Sequence, residues 1–357
     1  MQLRAVWLVS LAACAGSYGG AQATGPHAGG RAGSGSAAAA IDLDAAALPY
    51  AIVDARTGGA VDTARFWTQL AGARAICVGE EHSNPHHHWV ELEVARHVFP
   101  AWRGHAALGL EMVQRPFQRV LDDFAAHQID EAALLSRTGW DDRWGYDFGF
   151  YRPTIAAALA ANGALLALNA PKELTKQVAH HGLASLPADD KAQLPELDLR
   201  DAKHRAWFES MMEDMGGSEG HAHAAAAGSG DGSASSSSSG SSDADAAPMG
   251  MPSAEDIYTV QVIWDETMAD TAARWLASHP DGHVVILAGS GHCHDSAIVA
   301  RMKRRGVANV VSIRSIVDAG EGDVADAIAG TSINDYLVVL TPPKGASATE
   351  GADRSGR

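Results

Sequence analysis

Glu80 and His82 follow the apolar run Ile76-Cys77-Val78, and Glu111 follows Leu108-Gly109-Leu110. His292 comes after Ile286-Leu287-Ala288 by way of Gly289-Ser290-Gly291, and Asn169 after Leu166-Ala167-Leu168. Polar groups at the ends of apolar strands are costly to leave half buried without partners. Brought together, two carboxylates and two imidazoles can do acid–base chemistry: Glu80 or Glu111 would activate water, and His82 or His292 would orient or protonate. Alternatively, His82, Glu111 and His292 would hold a divalent metal that acidifies bound water. Singly, these residues are ordinary, since a glutamate after a strand often only caps a helix and a lone histidine is usually solvated. Their recurrence at strand ends carries the expectation of one shared crevice, because parallel sheets bind ligands beyond the carboxyl ends of their strands.

Further candidates flank this set. His86-His87-His88 opens a helix, where spacing sets His86 beside Val90 and His87 beside Glu91. Three successive residues point in different directions, so at most two, taken as His86 and His87, can serve one centre; the plain alternative is a polar helix start. A helix over 258–275 puts Gln261, Trp264, Asp265 and Met268 on one side. Its apolar members read as core, whereas Gln261 and Asp265 need polar partners that the crevice could supply. Met211, Met212, Met215, His221, His223, Met249 and Met251 flank a Gly/Ser-rich segment. Thioether plus imidazole suits copper(I), although methionines that merely end neighbouring helices read as simply.

Short apolar runs at 75–79, 106–112, 165–169, 284–289, 310–313 and 336–340 read as buried parallel strands. Helices are expected over 85–99, 115–127, 151–162, 171–180 and 256–279. The first has a Ser83-Asn84 cap and proline in its first turn. Alternation of the two predicts an α/β fold, a mainly parallel sheet flanked by helices. Segment 216–247, with five serines at 235–239, has nothing to bury and is expected to be a disordered insertion, as is the tail 344–357.

The chain has 357 residues, 46% hydrophobic, and a formal net charge of −16, which excludes nucleic acid as a partner class. Seventeen histidines favour metal or cofactor ligation. Arg4, an apolar run over 5–13 and Leu11-Ala12-Ala13-Cys14 read as a lipoprotein signal segment, 1–14, with Cys14 the lipidated residue. A flexible tether, 15–44, then leads to a single domain over 45–343. The run is too short to span a bilayer, so contact with the membrane would be through the lipid anchor alone. Cys77 and Cys293 remain, each beside a candidate site segment, and a disulfide between them is an open option.

Several motifs, in order, resemble the ChaN-like haem-binding lipoprotein family. They are Gly79-Glu80-Glu81-His82 with Asn84 and the histidines, and Leu108-Gly109-Leu110-Glu111-Met112 with Gln118. Segment 140–153 with Tyr146 and Tyr151 follows, then Leu168-Asn169-Ala170-Pro171, Gln261 with Trp264-Asp265-Glu266-Thr267-Met268-Ala269, and Ala288-Gly289-Ser290-Gly291-His292. The resemblance spans 45–343 apart from the insertion. It implies an iron- or haem-acquisition lipoprotein, in the cell envelope and facing the periplasm from the outer membrane, with an unknown outer-membrane receptor. It also implies haem held between two chains, with a tyrosine as iron ligand and a partner-chain histidine nearby. Tyrosinate suits ferric haem and needs nearby positive charge. Tyr146 and Tyr151 lie between Arg143 and Arg152, and Trp140, Trp144, Phe148 and Phe150 offer an apolar surface. Tyr151 matches the family's Tyr-x-Pro step; Tyr146 is the alternative ligand.

A wider group of this fold resembles erythromycin esterases, so a hydrolase using Glu80, His82, Glu111 and His292 is the second expectation. The sequence has no HExxH and no Gly-x-Ser-x-Gly at a strand-to-helix turn. Copper or another metal at the Met/His-flanked insertion is the third.

Overall fold

The computed structural model describes Leu43 and residues 47–216, 252–318, 323–330 and 333–341. Segment 1–14 with Cys14, the tether 15–44 except Leu43, residues 217–247 with His221 and His223, and the tail 344–357 lie outside the described residues. So do Met249, Met251 and the side chain of Met215.

Eight described strands form one sheet: β1 (Tyr50–Asp54), β2 (Ala60–Val61), β3 (Ala75–Glu80), β4 (Ala106–Gln114), β5 (Ala164–Asn169), β6 (His283–Gly289), β7 (Val310–Val317) and β8 (Tyr336–Leu340). Their order is β2-β1-β8-β7-β3-β6-β4-β5. From β8 to β5 every pairing is parallel, whereas β1 runs antiparallel to both β8 and β2. The fold is therefore α/β with a mixed sheet. The six expected strands are present, and the antiparallel edge is the addition. β1 is only half buried and β2 is two residues long, so neither leaves the continuous apolar run that marks a central strand.

The helices before β5 are α1 (Thr63–Ala71), α2 (Pro85–Val98), α3 (Gln118–Ala125), α4 (Glu131–Thr138), α5 (Trp140–Arg143) and α6 (Arg152–Ala160). After it come α7 (Lys172–His181), α8 (Ala188–Lys191), α9 (Ala202–Gly216), α10 (Ala254–Ser278), α11 (Ile298–Arg304) and α12 (Asp323–Ala329). No described helix is long and apolar enough to cross a membrane.

Both faces of the sheet are covered. One packs Leu108, Leu110, Ile76 and Val78 against Trp89, Val94, Leu121 and Ile155. The other packs Ala75, Ile286 and Leu168 against Met268, Ala272 and Met302. All residues of β3 and β4 are buried, and each large side chain of this kind contributes about 1.5–3 kcal/mol. Met211 and Met212 pack at the edge of a smaller cluster of Trp207, Phe208 and Tyr258.

Candidate functional site

The first half of the site lies at the end of β3. Asn84 caps α2 by accepting from the His86 amide at 3.1 Å, with Pro85 in the first turn. The helix then places His88 and Glu91, three residues apart, toward Glu80. Glu80 Oε1 lies 2.8 Å from His82 Nδ1 and accepts from the Tyr151 hydroxyl at 3.1 Å. Its other oxygen is 3.0 Å from His88 Nδ1, which is also 2.9 Å from Glu91 Oε2. His88 Nε2 lies 3.1 Å from the carbonyl oxygen of His82. Phe150 stacks on the His88 ring with centroids 4.5 Å apart.

Burial disfavours every charge here, so neighbours decide the protonation. Burial pushes Glu80 up, but His88 and His82 outweigh it and hold the carboxyl well below its usual range. Burial opposes a charge on His82 and His88, yet Glu80, and for His88 also Glu91, raise both. Glu91 is pushed up to about 7 by burial and by Glu80, against the pull of His88.

The second half joins β4, β6 and α10. Glu111 sits where β4 slips out of register with β5, just past its last pairing with β6; such irregularities re-aim side chains. Its Oε2 accepts from the Gly289 amide at 2.6 Å, and its Oε1 is 3.3 Å from His292 Nε2. His292 Nδ1 is 2.6 Å from Asp265 Oδ1 and 3.1 Å from the Gln261 amide nitrogen. The other Asp265 oxygen is 2.9 Å from His204 Nε2 and 3.8 Å from Arg301. Burial opposes the charge on His292, but Glu111 and Asp265 push its pKa up to about 10. Asp265 stays far below its usual value, because Arg301 and His292 overcome its burial.

Gly289 lets the halves meet. A Cβ there would stand 3.1 Å from His82 Cε1 and 3.8 Å from Glu111 Oε2, so a side chain would press on the His82 ring where it lies over the end of β6. His82 keeps 13% of its side-chain surface, whereas Glu80 and His88 keep none. The mouth therefore presents His82, Glu111 and His292 above a closed interior. A disulfide between Cys77 of β3 and Cys293, the neighbour of His292, ties the halves together.

Glu80, His82, Glu111 and His292 thus form one cluster, Asp265 finds its partner in His292, and the Gln261 amide lies against the same ring nitrogen. Asn169 stays out; its Oδ1 accepts from the next amide, Ala170, at 2.8 Å. The expected metal set His82, Glu111 and His292 needs correction. Among the described residues, ligand atoms lying within 4.8 Å of one another belong to Glu80, His88 and Glu91. His87 is buried and accepts from the Glu81 amide at 2.9 Å, and burial holds its pKa down to about 3. His86 is also largely buried, which lowers its pKa. Of the three successive histidines it is His88 that faces the cluster, through an i,i+3 pair with Glu91 in place of the expected i,i+4 pair of His87 with Glu91.

Tyr151 is also corrected. It is 0% exposed, its oxygen accepts from Trp144 Nε1 at 3.1 Å while donating to Glu80, and burial with the Glu80 charge raises its pKa well above 10. A buried neutral phenol of this kind is a hydrogen-bond donor, not a tyrosinate. Arg143 and Arg152 do not face it. Arg143 pairs with Glu173 at 2.7 Å and Gln114 at 2.9 Å, and Arg152 pairs with Glu131 through both nitrogens, at 2.6 and 2.8 Å. Tyr146 is half exposed, its ring 5.0 Å from His82 and 5.5 Å from Trp144. Sequence reasoning missed His204 and Arg301. Both are buried with Asp265, and no periodic signal links α9 and α11 to that residue.

The fold and the strand-end cluster define a class, and the comparisons agree with it. The family described as haem-binding uptake, Tiki superfamily, ChaN matches residues 66–302. The chain belongs to that family. No curated protein matches. A solved structure titled "Cofacial heme binding to ChaN of Campylobacter jejuni" is similar over 82% of this chain and 97% of its own, with a TM-score of 0.57 and 15% identity. At that identity the likeness speaks for the fold.

Proposed function

We propose that this chain binds haem over the mouth of the strand-end crevice, with Tyr146 as the iron ligand. One observation carries the choice of ligand. Among the described residues the Tyr146 hydroxyl has no hydrogen-bond partner, whereas that of Tyr151 is occupied on both sides. Ferric haem takes a phenolate oxygen. His82, whose protonated form the Glu80 carboxylate favours, lies against the Tyr146 ring, where it would offset the charge of a bound phenolate. Trp144 and Phe150 give the porphyrin a partly exposed apolar border. The residues present therefore fit the group. Cofacial binding, as titled for the Campylobacter jejuni protein, would pair two copies over this surface.

We further take the chain to be an exported lipoprotein anchored through Cys14, serving haem or iron acquisition. The buried Cys77–Cys293 disulfide supports export, since disulfides persist in oxidising compartments. Hemin titration of the purified mature protein tests the reading. A Soret band is expected that is lost or shifted in Tyr146→Phe and kept in Tyr151→Phe; an unchanged band in Tyr146→Phe would remove Tyr146 as ligand.

A second reading rests on the pairing of Glu111 with His292. A deprotonated carboxylate beside an imidazolium could serve as base and proton donor for ester hydrolysis. It predicts turnover of a model ester that disappears in Glu111→Gln.

A further inference from the structure

His88 offers a test that needs no relative. Its Nε2 faces a backbone carbonyl oxygen at 3.1 Å, and a carbonyl oxygen only accepts. The ring proton is therefore fixed on Nε2. Nδ1 then points between two carboxylate oxygens, Glu80 Oε2 at 3.0 Å and Glu91 Oε2 at 2.9 Å. Three lone-pair donors converge on one buried spot, and something positive must stand there. One candidate is a second ring proton; the other is a metal ion.

Several observations favour the ion. Glu80 Oε2 has no contact but that with His88 Nδ1, and the second oxygen of Glu91, Oε1, is buried with no hydrogen-bond partner among the described residues, a costly state in a low-dielectric interior. A proton on Nδ1 can align with one of its two neighbours at a time, whereas a cation serves both. With legs of about 2.1 Å an octahedral ion sets adjacent ligand atoms about 3 Å apart and a tetrahedral one about 3.4 Å; the two carboxylate oxygens here stand 3.0 and 2.9 Å from His88 Nδ1. A metal-bound histidine commonly donates its other ring N–H to a backbone carbonyl, as His88 does to His82. Two carboxylates and one neutral imidazole carry −2, which a divalent ion neutralises. The groups packed around the spot are the carboxylates themselves, the aromatic rings of Phe150 and Tyr151, and His82, which is already paired through the other Glu80 oxygen. His87 and Arg314 stand farther along α2 and β7.

We propose that Glu80 Oε2, His88 Nδ1 and Glu91 form a buried site for one divalent cation of the zinc or manganese class. No soft ligand is present, so copper(I) is disfavoured. Binding forms three metal–ligand bonds and releases to solvent any proton held on Nδ1 or Glu91. The ion would lock the Glu80 carboxylate, and through it the orientation of His82 at the mouth.

The test strips the purified mature protein with chelator and titrates zinc and, separately, manganese. Uptake is read as bound metal per chain, by the absorption of cobalt(II) as a surrogate, and by the shift in melting temperature. One equivalent is expected in the wild type and in Tyr146→Phe, with loss of at least tenfold in affinity in Glu91→Gln. Glu111→Gln and His292→Gln, which alter the neighbouring half, should keep the equivalent. The melting temperature of metal-free Glu91→Gln shows whether that variant folds; if it does not, cobalt absorption of His88→Gln supplies the comparison. No stoichiometric uptake by the wild type would overturn the site. So would full uptake by Glu91→Gln, or loss in Glu111→Gln with retention in Glu91→Gln, which would move the ion to the mouth. None of these readouts involves haem, so the haem reading stands or falls separately.

Discussion

The β3–α2 half of the cluster and the β4–α10 half use the same parts, a histidine whose Nδ1 leans on a buried carboxylate, yet they balance charge differently. Asp265 has His292, His204 and the permanently charged Arg301 around it. Its neighbour Glu266 has Arg301 at 3.4 Å, Arg304, and Arg305 at 2.7 Å. The cationic partners of Glu80 and Glu91 among the described residues are imidazoles, whose charge comes and goes with pH. A guanidinium cannot be removed at any working pH, so the second half is a fixed scaffold. The first half must take its positive charge from protons or from an exchangeable cation. The contrast puts the adjustable chemistry beside Tyr146 and His82 and the rigid support behind Glu111 and His292.

The largest expected effect comes from removing the fixed cation. Arg301→Met removes the buried guanidinium shared by Asp265 and Glu266, leaving the first with histidines only, and should destabilise the fold by about 3–5 kcal/mol, read from urea unfolding. A loss below 1 kcal/mol would mean that the second half is not held by that guanidinium. Next, Cys77→Ser with Cys293→Ser unties the halves and should cost about 2–4 kcal/mol. Hemin binding should weaken more than in a surface variant of equal melting temperature if the disulfide holds the mouth in shape.

Gly289→Ala presses on the His82 ring, which must give by a few tenths of an ångström, and should cost about 1 kcal/mol as an overpacked contact. It should perturb hemin spectra while leaving metal uptake at Glu91 in place. The smallest change in stability, within about 1 kcal/mol, is expected for metal-free Glu91→Gln near pH 7, since glutamine matches a protonated glutamate.

The pH profile sharpens that last case. Glu91 rises from 4.5 to about 7 on folding, so the stability it contributes is full below pH 4.5 and is lost as pH rises through about 7. Metal-free wild type should therefore weaken over that window, and Glu91→Gln should flatten the fall. His292, raised from 6.5 to about 10, predicts a second decline that is complete only above about pH 10 and absent in His292→Gln. Denaturant midpoints across pH 4–10 check both; a profile without a decline between pH 4.5 and 7 would contradict the charge balance assigned to the first half.

Sequence by itself determined the class of fold, because central parallel strands are buried on both faces and must be continuous apolar runs. It also determined which strand ends carry Glu80, His82, Glu111 and His292, because polar residues interrupting such runs stand out. It did not reach the antiparallel edge, whose strands are short and half exposed. Only the tertiary structure chose His88 over its two neighbours, since helix phase relative to β3 decides which of three adjacent histidines faces Glu80. Only it separated Tyr146 from Tyr151, five residues apart in one aromatic loop, by burying one hydroxyl against Glu80 and leaving the other with no partner among the described residues. Burial, partner and charge at a single atom depend on contacts between segments as distant as Glu80 and Tyr151, or Asp265 and His204. No local pattern of residues encodes those distances.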